Sequence, residues 1–234
     1  MRRRGRTTVE GVGLLGVLPG SEDPGIQLLV IDDRAHDELA DLLPEARGGM
    51  IRILGTATRC AQLVADQLAW SSDRVTAMVC SDLHTVHRLT LPSDLTLQPV
   101  QRLGDDGGGV ALADAVAAAM SASSAIEDPP AVFAKYLRSL PATFRLFAAV
   151  DRLGAVRATS GSGVFGPYAT VIFVNTEPDW RGRGVGQAMT AQALRAASRA
   201  GARQASLDAS DAGRSIYLRL GFDNAGTVIR FMSM

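Results

Sequence analysis

Several features that mark particular classes of protein are missing from this chain of 234 residues. Basic and acidic residues number 24 each, so the charge balance gives no reason to expect a nucleic-acid partner or a membrane surface. No apolar run approaches the roughly 18 residues that cross a bilayer. The basic N-terminal start is interrupted by Glu10, and no small-residue cleavage site follows it, which argues against export. We therefore expect a cytoplasmic protein.

Cysteine and lysine are also scarce. The two cysteines, Cys60 and Cys80, form no C-x-x-C pair and no disulfide framework, so we expect buried free thiols. Cys80, His84 and His87 follow a C-x-x-x-H-x-x-H spacing, but a metal site needs three or four converging ligands, and no metal is expected. The only lysine is Lys135, while arginine, alanine and glycine abound. This composition suggests a bacterial source.

Changes of pattern along the chain suggest three parts. Residues 1–24 are expected to form a flexible N-terminus. In residues 25–92, short apolar runs alternate with helical patterns, which is typical of compact α/β units. A break with proline and serine follows, so residues 93–234 are assigned to a second domain. That domain contains the run YATVIFVNT, typical of a central strand, and a helical pattern from about Val185 to Ala200, for which Gly201 is a suitable C-terminal cap.

A short glycine- and arginine-rich loop, RGRGVG at 181–186, joins that strand to the helix. Backbone N–H groups at the start of a helix are unpaired, and the helix dipole places partial positive charge there. The three glycines let a ligand approach the backbone closely, and Arg181 and Arg183 add fixed positive charge. A strand, a glycine-rich turn and a helix in this order make an anion site, whose best occupant is a phosphate or pyrophosphate.

Two common phosphate-binding motifs do not fit this loop. The Walker motif G-x-x-x-x-G-K-[ST] is absent, because the only lysine lies elsewhere. The dinucleotide motif G-x-G-x-x-G fails, because its last position holds Gln187 or Met189 instead of glycine. What remains is R-x-x-G-x-G, formed by Arg181, Gly184 and Gly186.

This remaining pattern resembles the acetyl-CoA loop of the GNAT superfamily of N-acetyltransferases, which has the form Q/R-x-x-G-x-G/A between a strand and a long helix. A second match follows in the family's order. SDAGRSIYLRLGF at 210–222 resembles the family's C-terminal block, which ends in Tyr-x-x-x-Gly-Phe at Tyr217, Gly221 and Phe222. The resemblance runs from about Asp94 to the C-terminus. It implies an α/β (α+β) fold with a GNAT-like mixed sheet, largely antiparallel, that splays at the cofactor and is flanked by helices.

The resemblance also implies direct transfer of an acetyl group from acetyl-CoA to an amine, with no covalent enzyme intermediate. Tyr217 is then the catalytic acid that protonates the departing CoA thiolate, a role that suits a phenol with a pKa near 10. A backbone N–H group at the end of the strand would polarise the thioester carbonyl. The residues implied in acetyl-CoA binding belong to the strand end, the loop and the start of the C-terminal block: Val174, Asn175, Thr176, Arg181, Gly182, Arg183, Gly184, Val185, Gly186 and Ser210.

The general base is left open by the sequence. Many members of the family carry a glutamate on the strand before the loop, but the corresponding run YATVIFVNT contains no acid. Glu177, just past the strand, and Asp208, on the next predicted strand, are the two candidates. A water chain could serve instead, or the amine could arrive already neutral.

The N-terminal α/β domain is interpreted as a degenerate half-repeat of the same fold. Aligning Trp70 on Phe222 brings the strands that follow into near register. Ala65 then takes the position of Tyr217, and the acidic stretch DDRAHDEL takes that of the loop, so this half is not expected to bind CoA. It would cover the sheet, shape the amine pocket or form a homodimer surface. An unrelated α/β cap is the alternative.

The predicted function is acetyl-CoA-dependent N-acetylation of a small-molecule amine or an amino acid. A protein lysine or N-terminal amine is the alternative substrate. A different class of function is a regulatory module that binds acyl-CoA without catalysis. The missing strand glutamate favours such a module, and the retained Tyr217 argues against it.

Overall fold

The computed structural model describes residues 7–12, 14–18, 25–46, 48–100, 108–123, 130–140 and 142–233. The chain divides into two compact units. Unit 1 comprises residues 1–77, 208–211 and 224–234, and unit 2 comprises residues 78–207 and 212–223. These units differ from the predicted domains 25–92 and 93–234, because the last strand of the chain pairs within the N-terminal unit.

Unit 1 is a mixed sheet with two helices. Its elements are β1 (Thr7–Gly11), β2 (Leu14–Leu18), β3 (Gly25–Val30), α1 (His36–Leu42), β4 (Gly48–Leu54), α2 (Thr58–Gln67), β5 (Ser71–Cys80) and β11 (Asp223–Met232). The strand order is β1-β2-β3-β4-β11-β5. Pairing is antiparallel for β1 with β2, β2 with β3 and β4 with β11, and parallel for β3 with β4.

The N-terminus is more regular than its sequence suggested. Residues 1–24 were predicted to be flexible, but Thr7–Gly11 and Leu14–Leu18 form strands. Pairing of β2 with β3 supplies backbone hydrogen bonds, and Leu14 is fully buried in the apolar core of unit 1. These gains offset the conformational freedom that the glycines of this segment bring. Residues 1–6, 13 and 19–24 lie outside the described part of the chain.

Strand alternation explains the core of unit 1. Ile51 and Ile53 on β4 point to the same face of the sheet. They are fully buried in one apolar cluster with Leu39 of α1 and with Cys60 and Val64 of α2. The two helices therefore cover this face of unit 1, and the residues between the isoleucines point to the other face.

Unit 2 is a largely antiparallel sheet with helices on both faces. Its elements are β6 (Leu95–Val100), α3 (Gly108–Ser123), α4 (Pro130–Ser139), β7 (Phe144–Asp151), β8 (Val156–Phe165), β9 (Tyr168–Thr176), α5 (Val185–Arg199), β10 (Gln204–Ala209) and α6 (Asp211–Leu218). The strand order is β10-β9-β8-β7-β6, in which only β9 and β10 run parallel. The mixed, largely antiparallel sheet predicted from the sequence is confirmed.

Two apolar clusters flank the sheet of unit 2. Ala148 and Val150 of β7 pack with residues of α3 and α4. Ala149, which points to the opposite face, packs with Val185 and Met189 of α5. Small residues on β7 therefore let helices approach both faces closely. Among the described residues, no helix is long and apolar enough to cross a membrane.

The two halves of the chain repeat one succession of elements. Three strands, a helix, a strand, a helix and a strand follow one another in β1 to β5 and again in β7 to β11. In each half the first three strands pair antiparallel, and the third pairs parallel with the fourth. Trp70 and Phe222 each precede the ten-residue strand that ends its half. This topology agrees with the interpretation of a half-repeat.

Candidate active site

The loop 181–184 lies between a short 3-10 turn, Pro178–Trp180, and the first residue of α5. The sequence predicted a loop before a helix from about Val185, but not the 3-10 turn. Gly182 and Gly184 have φ angles of 74° and 75°. This left-handed conformation is costly for a residue with a Cβ atom. A Cβ at either position would meet no atom within 4 Å. Backbone conformation, and not crowding, is therefore what requires glycine at these two positions.

A row of backbone N–H groups follows the chain into α5. The first helical hydrogen bond runs from Ala188 N–H to the Gly184 carbonyl at 3.0 Å. The N–H groups of residues 185–187 belong to the first turn, which has no intrahelical acceptor. Within the part of the chain that the structure describes, the N–H groups of residues 182–184 also have no acceptor. The loop and helix start thus present consecutive unpaired donors.

Close packing of α5 against the end of β9 fixes this row in place. At Gly186 a Cβ would lie 3.1 Å from Thr176 Oγ1 and 3.5 Å from Ile216 Cδ1. Thr190 is fully buried, and its hydroxyl donates to the Gly186 carbonyl at 2.8 Å. The third glycine of the motif therefore serves helix packing, whereas the first two serve the turn.

The two loop arginines are held by protein groups. Arg181 Nε donates to the Thr176 carbonyl at 2.9 Å. Arg183 Nη2 donates to Asp94 Oδ2 at 2.8 Å, and its guanidinium lies 4.3 Å from the centre of the Trp180 ring. The hydrogen bond from Arg183 lowers the pKa of the Asp94 carboxyl below its ordinary value. Asp94 therefore partly neutralises the positive charge of Arg183, which the sequence alone predicted to be fully available to an anion.

β9 and β10 separate before β9 ends. Their parallel pairing covers only Gln204 to Ser206 of β10 and Tyr168 to Thr170 of β9. β9 continues to Thr176 without a partner on that edge. The Glu177 N–H donates to the Arg157 carbonyl on the β8 side. Since strand residues alternate, the backbone groups of Val174 and Thr176 point to the opposite, open edge.

A β-bulge interrupts β9 beside this open edge. Gly161 of β8 pairs with Ile172, but Thr159 pairs with Asn175, so two residues of β9 oppose one residue of β8. One of the two, Phe173, has a φ of 54°, which is unusual for a residue other than glycine. Thr159 Oγ1 donates to the Phe173 carbonyl at 2.7 Å and stabilises the bulge. The continuous apolar sequence of β9 gave no signal for it.

Tyr217 lies near the end of α6 with 7% of its surface exposed. Its ring packs edge-on against Phe222 at 6.0 Å between centres. Burial raises the pKa of its hydroxyl to about 12. Within the described residues this hydroxyl has no hydrogen-bond partner. It therefore stays protonated near neutral pH and is a free hydrogen-bond donor.

Both carboxylates proposed as the general base are engaged by arginines. Glu177 Oε2 accepts from Arg157 Nη1 at 2.6 Å, and the same arginine donates to Asp151 at 2.8 Å. Asp208 Oδ1 accepts from Arg52 Nη2 at 3.0 Å. Each carboxylate is thus held in an ion pair with an arginine.

The remaining predicted residues fall as follows. Asn175 is half-buried near the end of β9, and Ser210 is exposed between β10 and α6. The two cysteines are free and buried, as predicted. Burial raises the pKa of Cys60 to about 11 and shifts that of Cys80 in the same direction. In the described ranges no group of three or more histidine, cysteine or acidic residues is placed to hold a metal ion.

Trp180 and Asp94 are site residues that sequence reasoning did not assign. Two guanidinium groups lie near the Trp180 ring: that of Arg183 is 4.3 Å from its centre, and that of Arg157 is 6.0 Å from it. Asp94 directly precedes β6, and its side chain contacts a loop 89 positions later in the chain. Trp180 could have been found because it directly precedes the motif. The contact of Asp94 is a tertiary one without a local signal.

Comparison with known proteins finds a known domain and a known fold in this chain. Residues 143–224 match the family model described as "Acetyltransferase (GNAT) domain". A GCN5-related N-acetyltransferase from Kribbella flavida has a similar structure, with a TM-score of 0.64 and 18% identity over 97% of this chain and 89% of that one. A GCN5-related N-acetyltransferase-like protein from Streptococcus suis gives a TM-score of 0.61 and 15% identity over 99% and 88%.

A tandem GNAT protein from the clavulanic acid biosynthesis pathway is also similar, with a TM-score of 0.56 and 17% identity over 94% of this chain and 76% of that one. The comparison with curated proteins gave no match. At these identities the solved structures show the fold, and the family model adds the sequence signature of the domain. Residues 143–224 therefore match a GNAT acetyltransferase domain, and the chain has the fold of the solved GNAT proteins.

Proposed function

We propose that the protein transfers an acetyl group from acetyl-CoA directly to the primary amine of a small molecule or an amino acid. The observation that carries this proposal is the row of unpaired N–H groups at residues 182–187, placed where the open edge of β9 meets the start of α5. Such a row binds a pyrophosphate well, because several donors and the positive end of the helix dipole converge on it. Two free, buried cysteines agree with a reducing cytoplasm.

The residues present fit a CoA thioester along this edge. The N–H groups of residues 182–186 would hold the pyrophosphate. The outward backbone groups of Val174 and Thr176 would pair with the amide-containing arm as an added strand does. The Thr176 carbonyl already accepts a hydrogen bond from Arg181, so that side chain orders the end of the edge. Acetyl-CoA would supply the activated acetyl group.

Two groups of the protein would assist acetyl transfer. The bulge at Phe173 turns the backbone just before Val174, whose N–H would donate to the thioester carbonyl oxygen as negative charge develops there. Tyr217 would donate a hydrogen bond to the departing sulfur. A phenol with a pKa of about 12 is a weaker acid than the free thiol, near 8.5, so donation of a hydrogen bond is favoured over complete proton transfer.

Proton removal from the amine would use neither of the two carboxylates directly. Glu177 and Asp208 each already accept a hydrogen bond from an arginine, which occupies the carboxylate oxygen concerned. The amine would arrive neutral or lose its proton to a water chain. We therefore expect the rate to rise with pH as the free amine fraction of the acceptor increases.

Thiol release from acetyl-CoA in the presence of an amine panel tests the proposal. We expect CoA to bind and thiol to appear at an amine-dependent rate, with peptides that carry lysine as the panel's protein-like members. The paired carboxylates also favour a second candidate, a regulatory module that binds acyl-CoA without turnover. Binding of CoA with no thiol release in the presence of any amine or peptide would contradict the enzyme and support the regulatory module.

A further inference from the structure

Thr159 occupies a position of β8 where a valine would have the same shape. The residue is 2% exposed, and burial of a hydroxyl is costly unless it forms a hydrogen bond. Thr159 Oγ1 forms one at 2.7 Å, with the Phe173 carbonyl on β9. Ser162, also buried on β8, donates instead to the Ala193 carbonyl of α5 at 3.1 Å. The requirement for a hydroxyl at position 159 therefore comes from β9.

The acceptor of this hydrogen bond lies at a strained point of the backbone. Phe173 has a φ of 54°, and it is the only residue other than glycine with a positive φ in the described part of the chain. Such a conformation persists where several contacts determine it together. The Phe173 carbonyl accepts from Thr159, and the Phe173 ring packs edge-on against Phe133 of α4, with 5.5 Å between centres. The bulge is therefore held through both its backbone and its side chain.

The held carbonyl fixes the direction of the next N–H group. The Phe173 carbonyl and the Val174 N–H belong to one peptide unit, which is trans and planar, so the two groups point in opposite directions. Because the carbonyl points towards Thr159 of β8, the Val174 N–H points away from β8. That direction is the open edge of β9, where pairing with β10 ends at Thr170.

We propose that Thr159 is a positioning residue for acetyl transfer, because it orients the Val174 N–H towards the carbonyl oxygen of the bound thioester. This inference rests on the proposed function, in which that N–H stabilises the negative charge that develops on the oxygen. A donor that is already oriented needs no reorganisation when the charge appears. Thr159 itself does not contact the thioester, since β8 lies on the side of β9 away from the open edge.

Loss of the Thr159 hydroxyl should affect acetyl transfer and not the affinity for CoA. Without this hydrogen bond the peptide is free to turn, and any rotation of the carbonyl turns the Val174 N–H with it. The pyrophosphate donors at 182–187 belong to another segment, which is held by α5. We therefore expect Thr159→Val to lower kcat about ten- to a hundredfold, while the Kd for CoA changes by less than about twofold.

Three measurements on the full chain test this role of Thr159. Thiol release from acetyl-CoA, with the panel amine that gives the highest rate in the parent protein, measures transfer. Calorimetry with CoA measures cofactor binding. Infrared difference spectra of bound acetyl-CoA, isotope-labelled at the thioester carbonyl, report on the hydrogen bond itself, because a donor to that oxygen lowers its stretching frequency. We expect a higher carbonyl frequency in the Thr159→Val complex than in the parent complex.

Two further variants separate orientation of the peptide from packing. Thr159→Ser keeps the hydroxyl but loses the methyl group, and it should restore most of kcat and the carbonyl frequency of the parent complex. Ser162→Ala is the matched control, because it also removes a buried hydrogen bond from β8, but one that leads to α5. It should lower the free energy of unfolding without changing kcat or the carbonyl frequency. Retained CoA binding shows that each variant has folded.

The two hypotheses fail in different ways. If the parent protein acetylates amines and Thr159→Val equals it in kcat and carbonyl frequency, the role of Thr159 is overturned and the acetyltransferase stays intact. Equal losses in Thr159→Val and in either Thr159→Ser or Ser162→Ala would also overturn it, because packing would then explain them. A parent protein that does not bind CoA would overturn the proposed function and the role of Thr159 together. If acetyl-CoA binds without turnover, the infrared comparison decides whether Thr159 orients the N–H.

Discussion

Replacement of Gly184 by alanine tests whether the geometry of the loop holds a ligand. Gly184 has a φ of 75° and is the residue before α5, so its carbonyl receives the first helical hydrogen bond. Alanine in the left-handed region costs about 1–2 kcal/mol. If the free loop relaxes to avoid this cost, CoA binding must return residue 184 to the left-handed conformation. The affinity for CoA then falls by about five- to thirtyfold.

The chain offers a matched control at the other end of the same helix. Gly201 has a φ of 100°, and a Cβ there would also meet no atom within 4 Å. Gly201→Ala should therefore lower the free energy of unfolding by a similar amount, about 1–2 kcal/mol, without changing CoA affinity. Gly184→Asn should be milder than Gly184→Ala, because asparagine tolerates the left-handed region better than alanine does.

Calorimetric titration with CoA and urea unfolding of each variant are the two assays. A Gly184→Ala variant that loses stability but keeps the CoA affinity of the parent protein would contradict a role of this backbone conformation in binding. That role is also refuted if Gly201→Ala weakens CoA binding as much as Gly184→Ala does, because the loss would then follow from stability alone.

Three further predictions concern side chains. Tyr217→Phe should lower turnover by about ten- to a thousandfold while CoA binding persists, and unchanged turnover would remove Tyr217 from the mechanism. The free energy of unfolding of the parent protein should fall above about pH 10, because the raised pKa of Tyr217 means that the folded state favours its neutral phenol. Asp94→Asn should tighten CoA binding about threefold at low salt, because it frees Arg183. The same gain from Asp94→Asn in a chain that already carries Arg183→Gln would contradict this. Cys60 and Cys80 should resist a thiol reagent at pH 8 until denaturant is added, and labelling of the folded chain would show that they are not buried.

The loop and the elements around it were predictable because their signals are local. The run of β9, the glycines at 182 and 184 and the cap at Gly201 each reflect a backbone requirement within a few residues, and the structure has them where the sequence indicated.

Features that depend on tertiary pairing were not predictable in this way. The last strand, β11, pairs with β4 and so belongs to unit 1, although it lies at the far end of the chain. The bulge at Phe173 arises from the register between two strands, and no residue type in β9 announces it. The arginine partners of Glu177 and Asp208 are likewise contacts between distant segments, so the sequence could name the carboxylates without showing that they are already paired.

The central claim is that backbone N–H groups of the loop bind the pyrophosphate of CoA. Amide NMR spectra of the labelled protein, recorded during titration with CoA and with pantetheine, test it most directly. CoA should shift the N–H signals of Gly182, Gly184 and Gly186 downfield, while pantetheine leaves them in place and Gly201 responds to neither. Saturating CoA that leaves these three signals unmoved would contradict it.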